Sequence, residues 1–174
     1  MKNKARIIFL SLLALTIPFT ISSSANASLP PMSEDMETLG DSHSNASISS
    51  GLTAEVNEAK RNERGNFISI TWSLKNTSDK RVVITWMAGR TYKYEGPYFS
   101  GVTIFIPEKE TRFHPIMDGI GNCLCSGNHS PDFKERIEPG EKVSYWSLYS
   151  IPDEEESLTV EIPGFEPIED IPVS

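Results

Sequence analysis

Residues 66–75 read NFISITWSLK, and this stretch decides the fold. Ile68, Ile70, Trp72 and Leu74 fall on one parity, while Ser69, Thr71, Ser73 and Lys75 fall on the other. A period of two is the pattern of a half-buried strand, whose successive side chains point to opposite faces. Working outward, Leu52, Ala54 and Val56 alternate in the same way before it. After it, Asn76-Thr-Ser-Asp79 reads as a turn, and Val82, Ile84 and Trp86 resume the alternation. Trp72 and Trp86 therefore belong on inward faces as core residues.

Further strands are expected over residues 91–94, 101–106 and 110–113. Pro139-Gly140 is a turn signal followed by a strand over 142–149, and Leu158, Val160 and Ile162 mark another before Pro163-Gly164. An extended tail carrying Pro167 and Pro172 closes the chain. Beyond residue 28 no window sustains helical periodicity for three turns. Strands separated by turn signals, without intervening helices, predict an all-β antiparallel β-sandwich of about 7–8 strands over residues 51–174.

The start of the chain has a different character. Lys2, Lys4 and Arg6 precede the apolar run Ile7 to Ile17, and Ala25-Asn26-Ala27 supplies a small-x-small site. This order is that of a secretory signal peptide over residues 1–27, cleaved after Ala27. The apolar run of about 11 residues falls well short of the roughly 20 that a membrane-spanning helix needs, so no membrane span is expected. Residues 28–50 are rich in Ser, Pro, Asp and Glu, without either periodicity. They read as a flexible, disordered linker in which Met32, Met36 and His43 are solvated.

Charge limits the partners. The full chain of 174 residues carries a net charge of −8. Removing 27 residues takes away three basic and no acidic side chains, leaving 147 residues at −11. Phosphate polymers would be repelled, which excludes nucleic acid. A folded part of about 120 residues buries enough surface to stand alone, so a monomer is expected.

Both cysteines and two of the three histidines crowd into one window, His114-Pro-Ile-Met117 to Cys123-Leu-Cys125-Ser-Gly-Asn-His129. An exported chain with only two thiols favours a Cys123–Cys125 disulfide that shapes a loop. Two other readings stay open. His114, Met117, Cys123, Cys125 and His129 are eligible ligands for a soft metal such as Cu(I). The pair could also exchange disulfides, although no helix signal is present to depress a thiol pKa. No other cofactor is implied.

A second cluster, Arg90, Tyr92, Tyr94, Tyr98 and Phe99 around Gly96-Pro97, suits contact with an extracellular protein or glycan. A hairpin with cross-strand aromatic packing is the competing reading. No nucleophile elbow or phosphate-cradling glycine pattern occurs, and no catalytic residue is assigned. Asp153-Glu-Glu-Glu156 reads as a solvated turn, while Asn45, Asn76 and Asn128 each open an Asn-x-Ser triplet.

The succession of a strand, the Leu74-Lys-Asn76 turn, Ile137-Glu-Pro-Gly-Glu141, a strand, Ile151-Pro152, an acidic turn and Leu158-Thr-Val-Glu-Ile162 resembles small exported bacterial immunoglobulin-like domains. These include the secreted mycobacterial antigen type and the related domains of Gram-positive lipoproteins. The resemblance covers residues 50–165. It implies a secreted or periplasmic, non-enzymatic binding module, with a copper- or thiol-handling protein as the alternative.

Overall fold

A computed structural model describes residues 36–88, 98–127, 130 and 133–174. The signal-peptide reading of residues 1–27, the first part of the linker and the expected strand at 91–94 lie outside the described residues. So do Arg90, Tyr92, Tyr94 and His129.

The described residues are all-β and antiparallel, with only short 3-10 turns as helical elements. Ten strands form three sheets, where about seven or eight strands were expected from the turn spacing. They are β1 (Gly40–His43), β2 (Leu52–Arg61), β3 (Ile68–Asn76), β4 (Val82–Val83), β5 (Thr103–Ile106), β6 (Thr111–Phe113), β7 (Arg136–Ile137), β8 (Lys142–Tyr149), β9 (Ser157–Glu161) and β10 (Ile168–Pro172). One sheet has the order β1-β2-β3-β8, the second β10-β9-β5-β6, and β4 pairs with β7 in a two-stranded third.

The period-two residues face one apolar cluster shared by both large sheets. Ile68, Ile70, Trp72 and Leu74 of β3 pair in register with Tyr149, Ser147, Tyr145 and Val143 of β8, and all eight are buried. Ile104, Val160, Ile168 and Ile171 enter from the second sheet. An aromatic group forms the centre, with Trp72 and Tyr145 rings 4.7 Å apart and Phe99 5.1 Å from Tyr145. Offset and edge contacts of this kind suit the ring quadrupoles and add to the area buried.

Three expectations are corrected. Residues 40–49 are structured, although their composition reads as linker. Gly40–His43 pairs with β2 through the backbone, and backbone pairing needs no apolar side chain. Gly40 permits this approach, since a Cβ there would stand 2.7 Å from Ile168 and 2.9 Å from Ile171. The C-terminal segment is strand β10, with Ile168 and Ile171 buried on either side of a bulge where Asp170 takes φ 57°. Trp86 lies on a 3-10 turn, Thr85–Ala88, whose spacing buries Ile84 and Met87 and leaves the indole half-buried against Phe165.

Both outer borders of the first sheet are covered. Along β1, the Asn45 amide donates to the Gly164 carbonyl (2.9 Å) and Ser42 Oγ to that of Glu166 (2.7 Å). Along β8, residues 124–126 supply the missing partners, the Ser126 amide donating to the Trp146 carbonyl at 2.8 Å. Covered borders remove the open N–H and C=O rows that recruit other chains.

Candidate functional site

The segment covering β8 is a hairpin closed at both ends. Outbound, the Ile116 amide donates to the Leu148 carbonyl at 2.9 Å. The turn at 118–122 is fastened by one carboxylate: Asp118 Oδ1 accepts from the amides of Ile120 (3.0 Å) and Asn122 (2.9 Å), and Oδ2 from Asn122 Nδ2 (2.8 Å). Those bonds, led by the Asn122 side chain, hold the Asp118 carboxyl below its ordinary range. On the return, Cys123 faces Met117, Cys125 faces Ser147 of β8, and Gly127 faces Tyr98.

Cys123 and Cys125 are joined as a disulfide, with their Cα atoms 5.3 Å apart and both residues buried (5% and 3% exposed). The Tyr98 ring packs on the pair, and its hydroxyl donates to Asn122 Oδ1 at 3.1 Å. Gly127 is required at this crossing, since a Cβ would stand 2.2 Å from Tyr98 Cδ1. The disulfide thus sits under a tyrosine, inside the hairpin base.

The other sequence-level candidates separate. Met117 lies opposite Cys123 with its side chain exposed. His114 stands apart near Arg112 and Glu161, and burial, then the Arg112 guanidinium, lowers its imidazole pKa. Among the described residues no group of three or more His, Cys, Asp or Glu could hold a metal ion. Two of the proposed aromatic contacts are core residues. Phe99 (2% exposed) packs on Tyr145 and Phe133, and Tyr98 (4%) on the disulfide. Both rings are covered because residues 98–99 pair with the hairpin, the Phe99 amide donating to the Ser126 carbonyl at 2.8 Å.

What the sequence reading missed is the outer face of β8. Parity turns Val143, Tyr145, Ser147 and Tyr149 inward, so Lys142, Ser144, Trp146 and Leu148 point out. Trp146 is 37% exposed, in contrast to the fully buried Trp72. Register places Thr71 of β3 and Glu58 of β2 in its row; the next row is Leu148, Ser69 and Lys60. A cavity of about 250 Å³ opens on this second row and includes Asn62 and Phe67.

Towards the other end of the face, Asn57 occupies a bulge in β2 and lies over the sheet. It accepts from Ser73 Oγ (2.5 Å) and donates to the Glu37 carbonyl (3.1 Å), which buries Ser73. Glu55 there bonds Lys142 and Thr38. Burial would raise the Glu55 carboxyl pKa, but these partners outweigh it and hold it below the usual range.

No family profile matches this chain, and no curated protein sequence does. Among solved structures it is similar to a conserved hypothetical protein from Bacillus anthracis, with 14% identity and a TM-score of 0.42 over 75% of this chain and 95% of that one. It is also similar to a functionally unknown protein from Listeria monocytogenes EGD-e, with 12% identity and a TM-score of 0.40 over 79% of this chain and 85% of that one.

Proposed function

We propose that the chain is an exported, non-catalytic binding module of the immunoglobulin-like β-sandwich type, freed from its signal peptide after Ala27. Its acting surface is the hairpin 114–127 and the adjoining face of β8. The observation that carries this reading is the fastening of that hairpin. The Asp118 turn, the Cys123–Cys125 bridge and the Tyr98 contact hold a loop whose apolar tip stays in solvent, with Ile120 79% exposed and Met117 44%. A preformed apolar projection binds without first losing conformational freedom.

The immunoglobulin-like assignment is supported by antiparallel pairing throughout and by non-consecutive partners, β3 with β8 and β5 with β9. Several of the ten strands are short, with two residues each in β4 and β7 and three in β6. A copper- or thiol-handling role would need free, reachable thiols; here the sulfurs are bonded to each other and covered.

The test has two parts. Mass spectrometry of protein recovered from outside the cytoplasm is expected to show loss of 27 residues and no alkylation of cysteine before reduction. A photo-crosslinking residue at Met117 is expected to capture a discrete product from the cell-envelope fraction, and one at Asp79 to capture none. An uncleaved cytoplasmic chain with two reactive thiols, or no product at position 117, overturns the reading.

A further inference from the structure

The geometry points to a neutral polysaccharide as the ligand of the outer face of β2, β3 and β8, with the Trp146 indole as the platform for a sugar ring. This deepens the binding-module reading and rests on it. Trp146 is held at its backbone by Ser126, whose amide donates to its carbonyl and whose Oγ accepts from its amide at 2.9 Å. The ring therefore projects from a fixed strand rather than a loop. An exposed indole with an apolar face and a polar edge suits a ligand that is apolar on one side and wet on the other, as the C–H face of a pyranose is.

The side chains around it match hydroxyl groups. The two rows Trp146–Thr71–Glu58 and Leu148–Ser69–Lys60 offer hydroxyls that donate and accept, a carboxylate that accepts and an ammonium that donates. Adjacent strands stand about 4.8 Å apart, so each row is a ladder of polar groups running away from the indole. Among the described residues the exposed aliphatic side chains, Leu39, Ile48, Val83, Met117 and Ile120, all lie off these two rows.

Charge complementarity selects a neutral ligand. Glu58 and Lys60 balance within the two rows, while the whole chain stands at −8 and repels a polyanion. The cavity beside Leu148, Ser69 and Lys60 gives a polymer room to continue past the indole.

Affinity gel electrophoresis of the full mature chain tests this, with β-glucan, xylan, galactomannan and glycol chitin as neutral probes and polygalacturonate as the anionic one. At least one neutral polymer is expected to retard migration. Trp146→Ala is expected to weaken that binding about tenfold or more with the unfolding midpoint retained, and Thr71→Val to weaken it less. Ile120→Ser is expected to leave it unchanged. Retardation by no neutral polymer, by polygalacturonate alone, or undiminished in Trp146→Ala overturns the inference. A dimer in sedimentation, lost in Trp146→Ala and formed without glycan, assigns the face to a second copy and overturns it too. If gels fail while the crosslinker at Met117 still captures a product, the glycan inference falls and the module reading stands.

Discussion

Tyr149 of β8 donates its hydroxyl to the Val102 carbonyl at 2.9 Å, a buried bond that runs from the first sheet to the residue leading into β5 of the second. Apolar contact between sheets tolerates sliding, whereas a directed bond fixes one relative position. Tyr149→Phe keeps the ring and strips the Val102 carbonyl of this donor. The expected loss is about 1–3 kcal/mol, seen as a lower urea midpoint with an unchanged slope. An unchanged midpoint would mean that the bond contributes no net stability.

Asn76 fastens the turn that leaves β3. Its Nδ2 donates to the carbonyls of Lys80 (2.7 Å) and Ile137 (3.0 Å), and its Oδ1 accepts from the Ser78 amide and hydroxyl. Asn76→Ala leaves two carbonyls without this donor, one of them in the core, and is expected to cost about 2–4 kcal/mol. Thermal unfolding followed by circular dichroism measures it. The same burial closes the Asn76-Thr-Ser triplet to glycosylation in the folded protein.

Much of this architecture was legible wherever side chains decide it. The alternation at 52–56, 66–75 and 158–162 named β2, β3 and β9, because each has one face in the core, and the Pro139-Gly140 turn signal placed β8. The cysteine pairing was the favoured reading of two thiols in a chain taken as exported, with metal binding and disulfide exchange left open. Strand β1 was not legible, since Gly-Asp-Ser-His enters the sheet through its backbone and against distant residues of β10. Phe99 stayed open between a contact loop and aromatic packing, because nothing local reveals that the hairpin returns beside it. Trp146 stands on the opposite parity from Tyr145 and Tyr149, but its exposure depends on which neighbouring strands carry small polar side chains.

Gly127 is constrained by Tyr98 rather than by its own backbone. Gly127→Ala drives a methyl into the ring and is expected to destabilise by about 1–3 kcal/mol. Combining it with Tyr98→Ala should restore most of that loss, which a double-mutant cycle in urea would detect. Strictly additive effects would refute the contact as the cause.

Acid should lower the protein's stability over two pH ranges. His114 has a lower pKa folded than unfolded, so its contribution is complete above about pH 6.5 and declines as pH falls. The carboxyls of Glu55 and Glu161 are also held low, Glu161 chiefly by its paired bonds from Arg112. Their contribution is complete above about pH 4.3 and is lost below it. Stability measured from pH 8 to 3 should therefore fall twice. His114→Gln is expected to remove the upper step and Glu55→Gln to shrink the lower one.

Removing the disulfide should cost little. A ring closing three residues restricts the unfolded chain by roughly 1.5 kcal/mol. Cys123→Ala/Cys125→Ala is thus expected to fold, with a modest fall in midpoint and greater amide exchange confined to residues 116–127. Loss of folding would show that the bridge also organises the core.

The order of pairing bears on when the chain can fold at all. Strand β3 waits for β8, and β5 waits for β9, so both sheets are complete only with residues 142–172. A nascent polypeptide that stops short of residue 142 leaves β3 without its β8 neighbour and β5 without β9. Cooperative collapse is therefore postponed until β8, β9 and β10 have been made. Until that moment the chain remains pliable, which is the condition in which a polypeptide can be threaded through a narrow pore.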